Sequence, residues 1–345
     1  MAQSMIHSNI LMTTHLFNPE NDLALAADID RYTPPAAAIA LSRSGSLIPA
    51  WITGSGDRVL VRSEHEFREA ENLRRQFGLN FEATETVPSG CASFSPWGWS
   101  RHARRQFINA GANTASLPDD AWLQRQRMLS SRSTTVDLCN HLGIEPPETA
   151  STLEKAVAAV ANNLERGRHS YLKMPWSSSG RGVFPTAGMK AHLIERRASD
   201  IIRSQGFVII EPDRCRKADF ASLYHVSGGE ARFHALSVFE TDSRGAYRGN
   251  LIVSDDDIIS RLGTDPMPWA EKMAYSLTAV IAPFYSGWAG VDMVVTHNGD
   301  VYPCIELNLR TTMGVIAAAM RPYFGQPMLL APSPGNPQSH LPVAI

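Results

Sequence analysis

The chain has 345 residues, 43% of them hydrophobic and 19% charged, an ordinary globular balance that excludes a disordered or fibrous protein and predicts two or three domains. A net charge of −2 and a pI near 6.6 supply no overall basic field to capture a phosphate polymer, and no local basic patch dominates, so nucleic acid is not an expected partner. Four cysteines (Cys91, Cys139, Cys215, Cys304) lie far apart without a C-x-x-C pair, which argues against a zinc site or disulfide framework and fits a reducing compartment, here expected to be the cytoplasm. The longest apolar runs, 314–320 and 277–285, are shorter than the ~20 residues a membrane span requires. The N-terminus lacks a basic start followed by an unbroken apolar stretch, so no secretory signal is expected, and Met12 is an alternative start to Met1.

The first ~115 residues alternate short strand and helix patterns, as an α/β layer requires. "THLFNP" (14–19) and "DRVLV" (57–61) read as strands. Between them 34–45 reads as a helix opened by Pro34–Pro35 and closed at Gly45. Ser63 is expected to cap a helix running to Phe77, with Glu66 completing a capping box and Gly78 ending it. No Gly-rich dinucleotide turn is present: "GSGDRV" (54–59) has Val59 where a third glycine belongs and precedes a strand.

From Asp119 the pattern is helical through Gly143, "IEPPET" (144–149) marks a turn, and a helix follows at 151–166. Strands are expected at 170–174, 182–186, 207–211, 219–227, 231–240 and 247–253. A helix is expected around 268–286, with tryptophans at either end. Next comes a hairpin of 290–296 and 301–306, whose "HNGD" turn predicts type I′ geometry. The proline-rich 331–345 reads as a loose tail or a surface arm.

Two stretches carry chemistry. In "YLKMPWSSSGRGV" (171–183), Lys173, one of only five lysines, ends an apolar strand before a flexible loop. Backbone N–H groups and serine hydroxyls there suit polyphosphate oxygens, with one ammonium supplying charge; a plain hairpin whose lysine stem lies on apolar surface is the other reading. It is not a Walker loop, because the lysine precedes the turn. In "GVDMVVTHNGDVYPCIELNLRTTMG" (290–314), strand periodicity puts Glu306 and Asn308 on one face and Ile305 and Leu307 on the other. Asp292 on the paired strand brings a third oxygen. Few oxygen ligands with room for water and phosphates suit nucleotide-bound magnesium, and Arg310 adds a fixed positive fork beside them.

A lysine before a glycine loop and a downstream E-x-N-x-R strand resemble the ATP-grasp superfamily of carboxylate–amine or carboxylate–thiol ligases, over about 120–325. The resemblance implies an α/β (α+β) protein: two α+β subdomains enclosing ATP, 119–205 with the phosphate loop and 206–330 with the Mg-binding hairpin. These would follow a Rossmann-like α/β domain at 1–118 and precede the tail at 331–345. It implies ATP contacts from Lys173, Ser177, Ser178, Ser179, Gly180 and Gly182. Glu211 in "GFVIIEP" (206–212) would lie beside adenine, and Asp219 at the start of "ADFASLYHV" (218–226) would bind ribose. The implied metal positions are Asp292, Glu306 and Asn308, and the arginine that steadies an acyl phosphate is Arg310. Where these ligases carry an earlier lysine this chain has Arg132, in "SSRST" (130–134), which keeps the charge and adds a bidentate grip. Pro212 removes one backbone donor from the adenine hinge, and Lys217 nearby reads as an assisting or a surface residue.

"FNPENDLALA" (17–26) resembles an N-terminal signature found on uncharacterised members of the superfamily. Asn18, Glu20, Asn21 and Asp22 follow a strand and open an apolar helix, where strand ends form a crevice; the segment caps the helix, with or without touching substrate. Arg248 is a further candidate substrate contact, Arg232, His234 and Asn250 lie on neighbouring strand patterns, and Trp97 and Trp99 in "PWGWS" read either as pocket lining or as interface packing. The function implied is ATP-dependent joining of a carboxylate to an amine through an acyl phosphate, releasing ADP and phosphate. Lys173 and Arg310 would be catalytic, ATP and Mg²⁺ (Mn²⁺ as an alternative) would be the cofactors, and a homodimer stays open. A thiol-using ligase, a phosphotransferase and a non-catalytic nucleotide-binding scaffold are the rivals; no G-x-S-x-G, H-E-x-x-H or evident cysteine nucleophile points elsewhere.

Overall fold

A computed structural model describes residues 12–177, 182–241 and 247–345. Strands β1 (Thr13–Leu16), β2 (Asp57–Leu60), β3 (Phe81–Thr84) and β4 (Ser93–Pro96) form a parallel sheet in the order β3-β2-β1-β4. Strands covered on both faces tend to be apolar on both, and where this sheet departs from that, at His15 and Asp57, the two polar groups pair at 3.2 Å. Val59 and Phe81 accordingly join a core with Ala70 and Leu73 of the helix Glu64–Phe77, while Leu16 and Leu60 pack with Phe107 on the other side. The chain fills one side of β1 and then returns to place β4 on the other. The loops after β1 and β4 therefore meet at a switch point, where open α/β sheets form their crevice.

Helix Glu64–Phe77 is capped by Ser63, whose hydroxyl accepts from the Glu66 N–H at 3.3 Å, and ends at left-handed Gly78. The expected reciprocal half of the box does not form. The Glu66 carboxylate reaches one residue further back and accepts from the Arg62 N–H.

Strands β5 (Glu148–Ala150), β6 (Ser170–Lys173), β7 (Val183–Pro185) and β8 (Val208–Pro212) form an antiparallel sheet in the order β5-β8-β6-β7. The sequence patterns miss β5, a three-residue edge strand following two prolines. Leu172, Val208 and Ile210 pack on Ala156, Ala159, Ala198 and Ile201 of the helices Leu153–Glu165 and Ala191–Gln205. Two-residue periodicity turns Lys173 and Glu211 to the opposite face.

The remaining strands are β9 (Arg216–Ser227), β10 (Glu230–Ser237), β11 (Phe239–Thr241), β12 (Tyr247–Ile252), β13 (Gly287–Thr296), β14 (Val301–Asn308), β15 (Met328–Leu330) and β16 (Val343–Ala344). They make two antiparallel sheets, β10-β9-β13-β14 and β11-β12-β15-β16. The single strand expected at 231–240 is thus divided at Val238 between two sheets. Tyr224, Val291, Met293 and Cys304 form the main core with Leu138, Met273 and Leu277. Ile252, Ile316 and Leu330 instead share a core with Leu47 and Ile48, so the C-terminal part packs directly on the N-terminal layer.

Two expected helix boundaries shift, and one turn differs in type. The helical stretch 119–143 is two helices, Asp120–Leu129 and Ser133–Leu142, and the break delivers Arg132, whose N–H donates to the Pro175 carbonyl at 3.0 Å. The helix expected at 268–286 is Met267–Val280 and stops ahead of Pro283, which disfavours helical backbone before it; Trp288 lies on β13. The "HNGD" turn is not type I′. Among the described residues only Asp28 and Cys215 combine a side chain with positive φ, so Asn298 does not adopt it. Gly299, at φ 88°, donates its N–H to Thr296 O at 2.9 Å, and Thr296 N–H donates to Asp300 O at 2.9 Å. That is a type I turn closed by a left-handed glycine bulge.

Of the two readings of 331–345 the structure takes the arm. Ser44 Oγ donates to Ser333 O at 3.0 Å, Trp51 Nε1 donates to His340 O at 2.8 Å, and β16 pairs with β15. Among the described residues no helix is long and apolar enough to cross a membrane.

A clamp at Glu145 ties the turn after helix Ser133–Leu142 to the segments before β6 and after β8. Its carboxylate accepts from Arg168 at 2.7 and 2.8 Å, Arg214 at 2.6 Å and Arg166 at 3.3 Å, and Arg168 first, then Arg214, hold its pKa at about 2 against a usual 4.5. Because its folded pKa is depressed, the stabilisation is present above pH 4.5 and is lost as pH falls through about 2. The side chain is 38% exposed, so water screens the pairs. Glu145→Gln is expected to cost about 1 kcal/mol by urea unfolding at pH 7, and the difference from the unaltered chain should vanish near pH 2.

Candidate functional site

The site assembles on the free face of the hairpin. Asp292 and Glu306 sit directly opposite each other on β13 and β14, and Asn308 Nδ2 donates to Asp292 Oδ2 at 3.3 Å. Strict alternation along β14 is broken at 303–305, where three residues oppose Met293 alone. Pro303 lies in this bulge and has no N–H for the ladder. Burial first, and then the charge of Glu306, push the Asp292 carboxyl up to about 7. Burial likewise opposes ionisation of Glu306, but Arg132, Lys173 and Arg310 more than offset it and hold Glu306 below the usual carboxylate range.

Arg132 ties the hairpin to Ser177, where the serine–glycine segment begins. One guanidinium nitrogen donates to Met174 O and Ser177 Oγ, both at 2.6 Å, and the other donates to Glu306 Oε1 at 2.7 Å. Arg132 is 5% exposed. The loop base is braced by Trp176: Nε1 donates to Arg127 O at 2.9 Å, the Arg127 guanidinium stacks on the ring at 3.8 Å, and Gln205 bonds both backbone groups of Trp176. The sequence reading passes over Trp176, Ser130 and Leu25, all of which line the cleft; a tryptophan directly before "SSSG" was the available signal. At Gly182 a Cβ would lie 2.4 Å from Ser177 Cβ, so glycine permits the loop's return strand to pass.

Lys173 does not stand free. Its ammonium donates to Glu211 Oε2 at 2.6 Å, and both side chains are 3% exposed. The pair faces β14: Lys173 stabilises ionised Glu306, and both Lys173 and Glu211 act on buried Cys304 two residues away. The cationic strand and the acidic strand, 133 residues apart in sequence, therefore converge.

The N-terminal motif joins the same cleft. Asn18, fully buried, donates to Gly98 O at 2.9 Å and accepts from Gly98 N at 3.4 Å. Glu20 holds Gln106 at 2.8 Å and His102 at 3.2 Å. It occupies the N-cap position of helix Asn21–Ala27 without a side-chain capping bond, so the expected cap by side chain is absent. Asn21 and Asp22 line the cleft with Arg132, Ser177, Glu306, Asn308 and Arg310. A Cβ at Gly98 would meet Asn21 Nδ2 at 2.3 Å and Arg310 Cβ at 3.2 Å, so this glycine allows the first turn of the helix to approach β14.

Other candidates lie elsewhere. Arg248 is exposed on β12 and does not line the cleft. Asp219 pairs with Arg216 at 3.3 Å on β9, close enough for its charge to act on Asp292. Trp97 packs edge-on against Phe17 at 5.0 Å, and Trp99 packs on Trp122 and Phe107, both at 5.8 Å, which decides for packing over pocket lining. Ser178, Ser179 and Gly180 lie outside the described residues.

Among the described residues no three His, Cys, Asp or Glu side chains cluster to hold a metal. What the hairpin offers is two facing carboxylates and an amide, a set that leaves positions for water and phosphate oxygens and suits Mg²⁺ delivered with a nucleotide.

Solved structures share this architecture. N5-carboxyaminoimidazole synthetase from Staphylococcus aureus aligns with a TM-score of 0.52 at 12% identity, over 88% of this chain and 71% of that one; its complex with ADP gives 0.50 at 13%, over 87% and 70%. A biotin carboxylase–βγ-ATP complex from Campylobacter jejuni gives 0.50 at 13%, over 89% and 70%. No protein-family model matches the chain, and no curated protein matches it in sequence. Likeness at these identities carries the fold alone, and the chain has the mixed α/β ATP-grasp fold.

Proposed function

We propose that this protein is an ATP-dependent carboxylate–amine ligase. The observation that carries the reading is Arg132: a single guanidinium bonds Ser177 of the phosphate loop and Glu306 of the acidic hairpin. A triphosphate entering the cleft would find cations on one wall and oxygen ligands on the other. In this reading ATP transfers its γ-phosphoryl group to a substrate carboxylate, and an amine displaces phosphate to form the amide. Such transfer needs alignment and charge neutralisation more than covalent participation by the protein. Lys173 and Arg132, with the serine loop and Gly182, would hold the phosphates, Glu211 and Asp219 would lie toward adenine and ribose, and Arg310 would steady the acyl phosphate. Asp292, Glu306 and Asn308 would hold Mg²⁺, which when bound supplies charge neutralisation at the phosphates.

The test is incubation with Mg-ATP and pools of amino acids, dipeptides and small carboxylic acids, with ADP and AMP assayed separately. ADP formation that depends on both a carboxylate and an amine is expected. AMP as product rules out the acyl-phosphate route, and tight ATP binding without turnover in any pool favours a nucleotide sensor.

A further inference from the structure

The sequence leaves open whether the N-terminal motif touches substrate, and the structure engages Asp22 with a residue at the far end of the chain. Asp22 accepts from Arg310 Nε at 3.0 and 3.1 Å and from Arg310 Nη2 at 2.8 Å. The same Nη2 donates to Asn308 Oδ1 at 3.1 Å, and Nη1 donates to Thr311 O at 3.2 Å. Asn308 in turn donates to Asp292. A chain of polar contacts thus runs from helix Asn21–Ala27 through Arg310 and Asn308 to the facing carboxylates. The backbone around it is braced: Thr311 N–H donates to Trp97 O at 2.9 Å, and Gly98 is bonded in both directions to Asn18.

We propose that Asp22 is a positioning residue: by fixing Arg310 it sets the Asn308 amide, and through it the affinity of the Asp292–Glu306–Asn308 face for a divalent cation. This rests on the ligase reading, which makes that face the metal site. An amide whose carbonyl already accepts from Arg310 and whose nitrogen donates to Asp292 is held in one orientation, with the carbonyl's second lone pair left for a cation. Outer partners that orient ligands in this way typically govern metal affinity about 10- to 100-fold.

The experiment titrates Mn²⁺ by electron paramagnetic resonance in the presence of saturating ADP, and separately measures ADP affinity in EDTA. Asp22→Asn and Arg310→Met are each expected to weaken Mn²⁺ about tenfold, the double variant no more than the weaker single, with metal-free ADP affinity unchanged in Asp22→Asn. Unaltered Mn²⁺ affinity in Asp22→Asn, or single losses that multiply in the double variant, overturns the inference alone. Absence of Mn²⁺–ADP binding by the unaltered chain overturns the ligase reading and this inference with it. If Asp22→Asn does not fold, Asp22→Glu carries the test: weaker Mn²⁺ binding with unchanged metal-free ADP affinity supports the inference, and unaltered Mn²⁺ affinity overturns it.

Discussion

Glu306→Gln is expected to lower ATP turnover by about 10³-fold or more while leaving the protein folded. Two opposing effects keep the fold intact. The change removes the charge that Arg132 grips at 2.7 Å, yet the amide oxygen still accepts a hydrogen bond. It also removes the carboxylate that faces Asp292 across the ladder and helps to raise its pKa. The lost attraction outweighs the relieved repulsion, because Arg132, Lys173 and Arg310 all hold Glu306 ionised; the net cost, about 1–3 kcal/mol, still falls short of a total stability of about 5–15 kcal/mol. Turnover has no such compensation, because a neutral amide neither neutralises a metal nor binds it comparably. Urea unfolding and ATP turnover measured on one preparation check both halves. Activity within about tenfold of the unaltered chain would remove Glu306 from the reaction.

What could be read before folding was local. Ser63 and Gly78 mark their helix ends because caps act within one turn, and Glu306 and Asn308 share a face because the strand period is two. The alternation that exposed them is interrupted just upstream by the Pro303 bulge, which no periodicity argument registers. Other features depend on contacts between layers. The break that frees Arg132 from a continuous helix coincides with its backbone bond to Pro175, 43 residues later. Asp22 meets Arg310 across 288 residues, and the motif around Asp22 shows only that it follows a strand, not what faces it. The Asn298–Gly299 turn went astray for a different reason: the dipeptide suits type I′ geometry, but a glycine also suits the bulge that this register requires.

Lys173 and Glu211 allow structural and chemical roles to be separated. Both lie 3% exposed, joined at 2.6 Å, and removal of one member of such a pair leaves an uncompensated buried charge. Lys173→Met is therefore expected to destabilise the protein by about 3–5 kcal/mol, read by urea unfolding. Replacing both, Lys173→Met with Glu211→Met, exchanges the pair for apolar groups of similar volume and should recover most of that loss. Turnover should not follow stability. If the ammonium swings from Glu211 to the phosphates when ATP enters, the double variant stays folded and loses far more turnover than Glu211→Gln alone, which controls for the loss of the carboxylate toward adenine, because no other described lysine lies on the strand that feeds the loop. If Lys173 serves only to neutralise Glu211, the double variant matches the turnover of Glu211→Gln. That second outcome would leave Arg132, with its bonds to Ser177 and Glu306, as the cation on which phosphate binding rests.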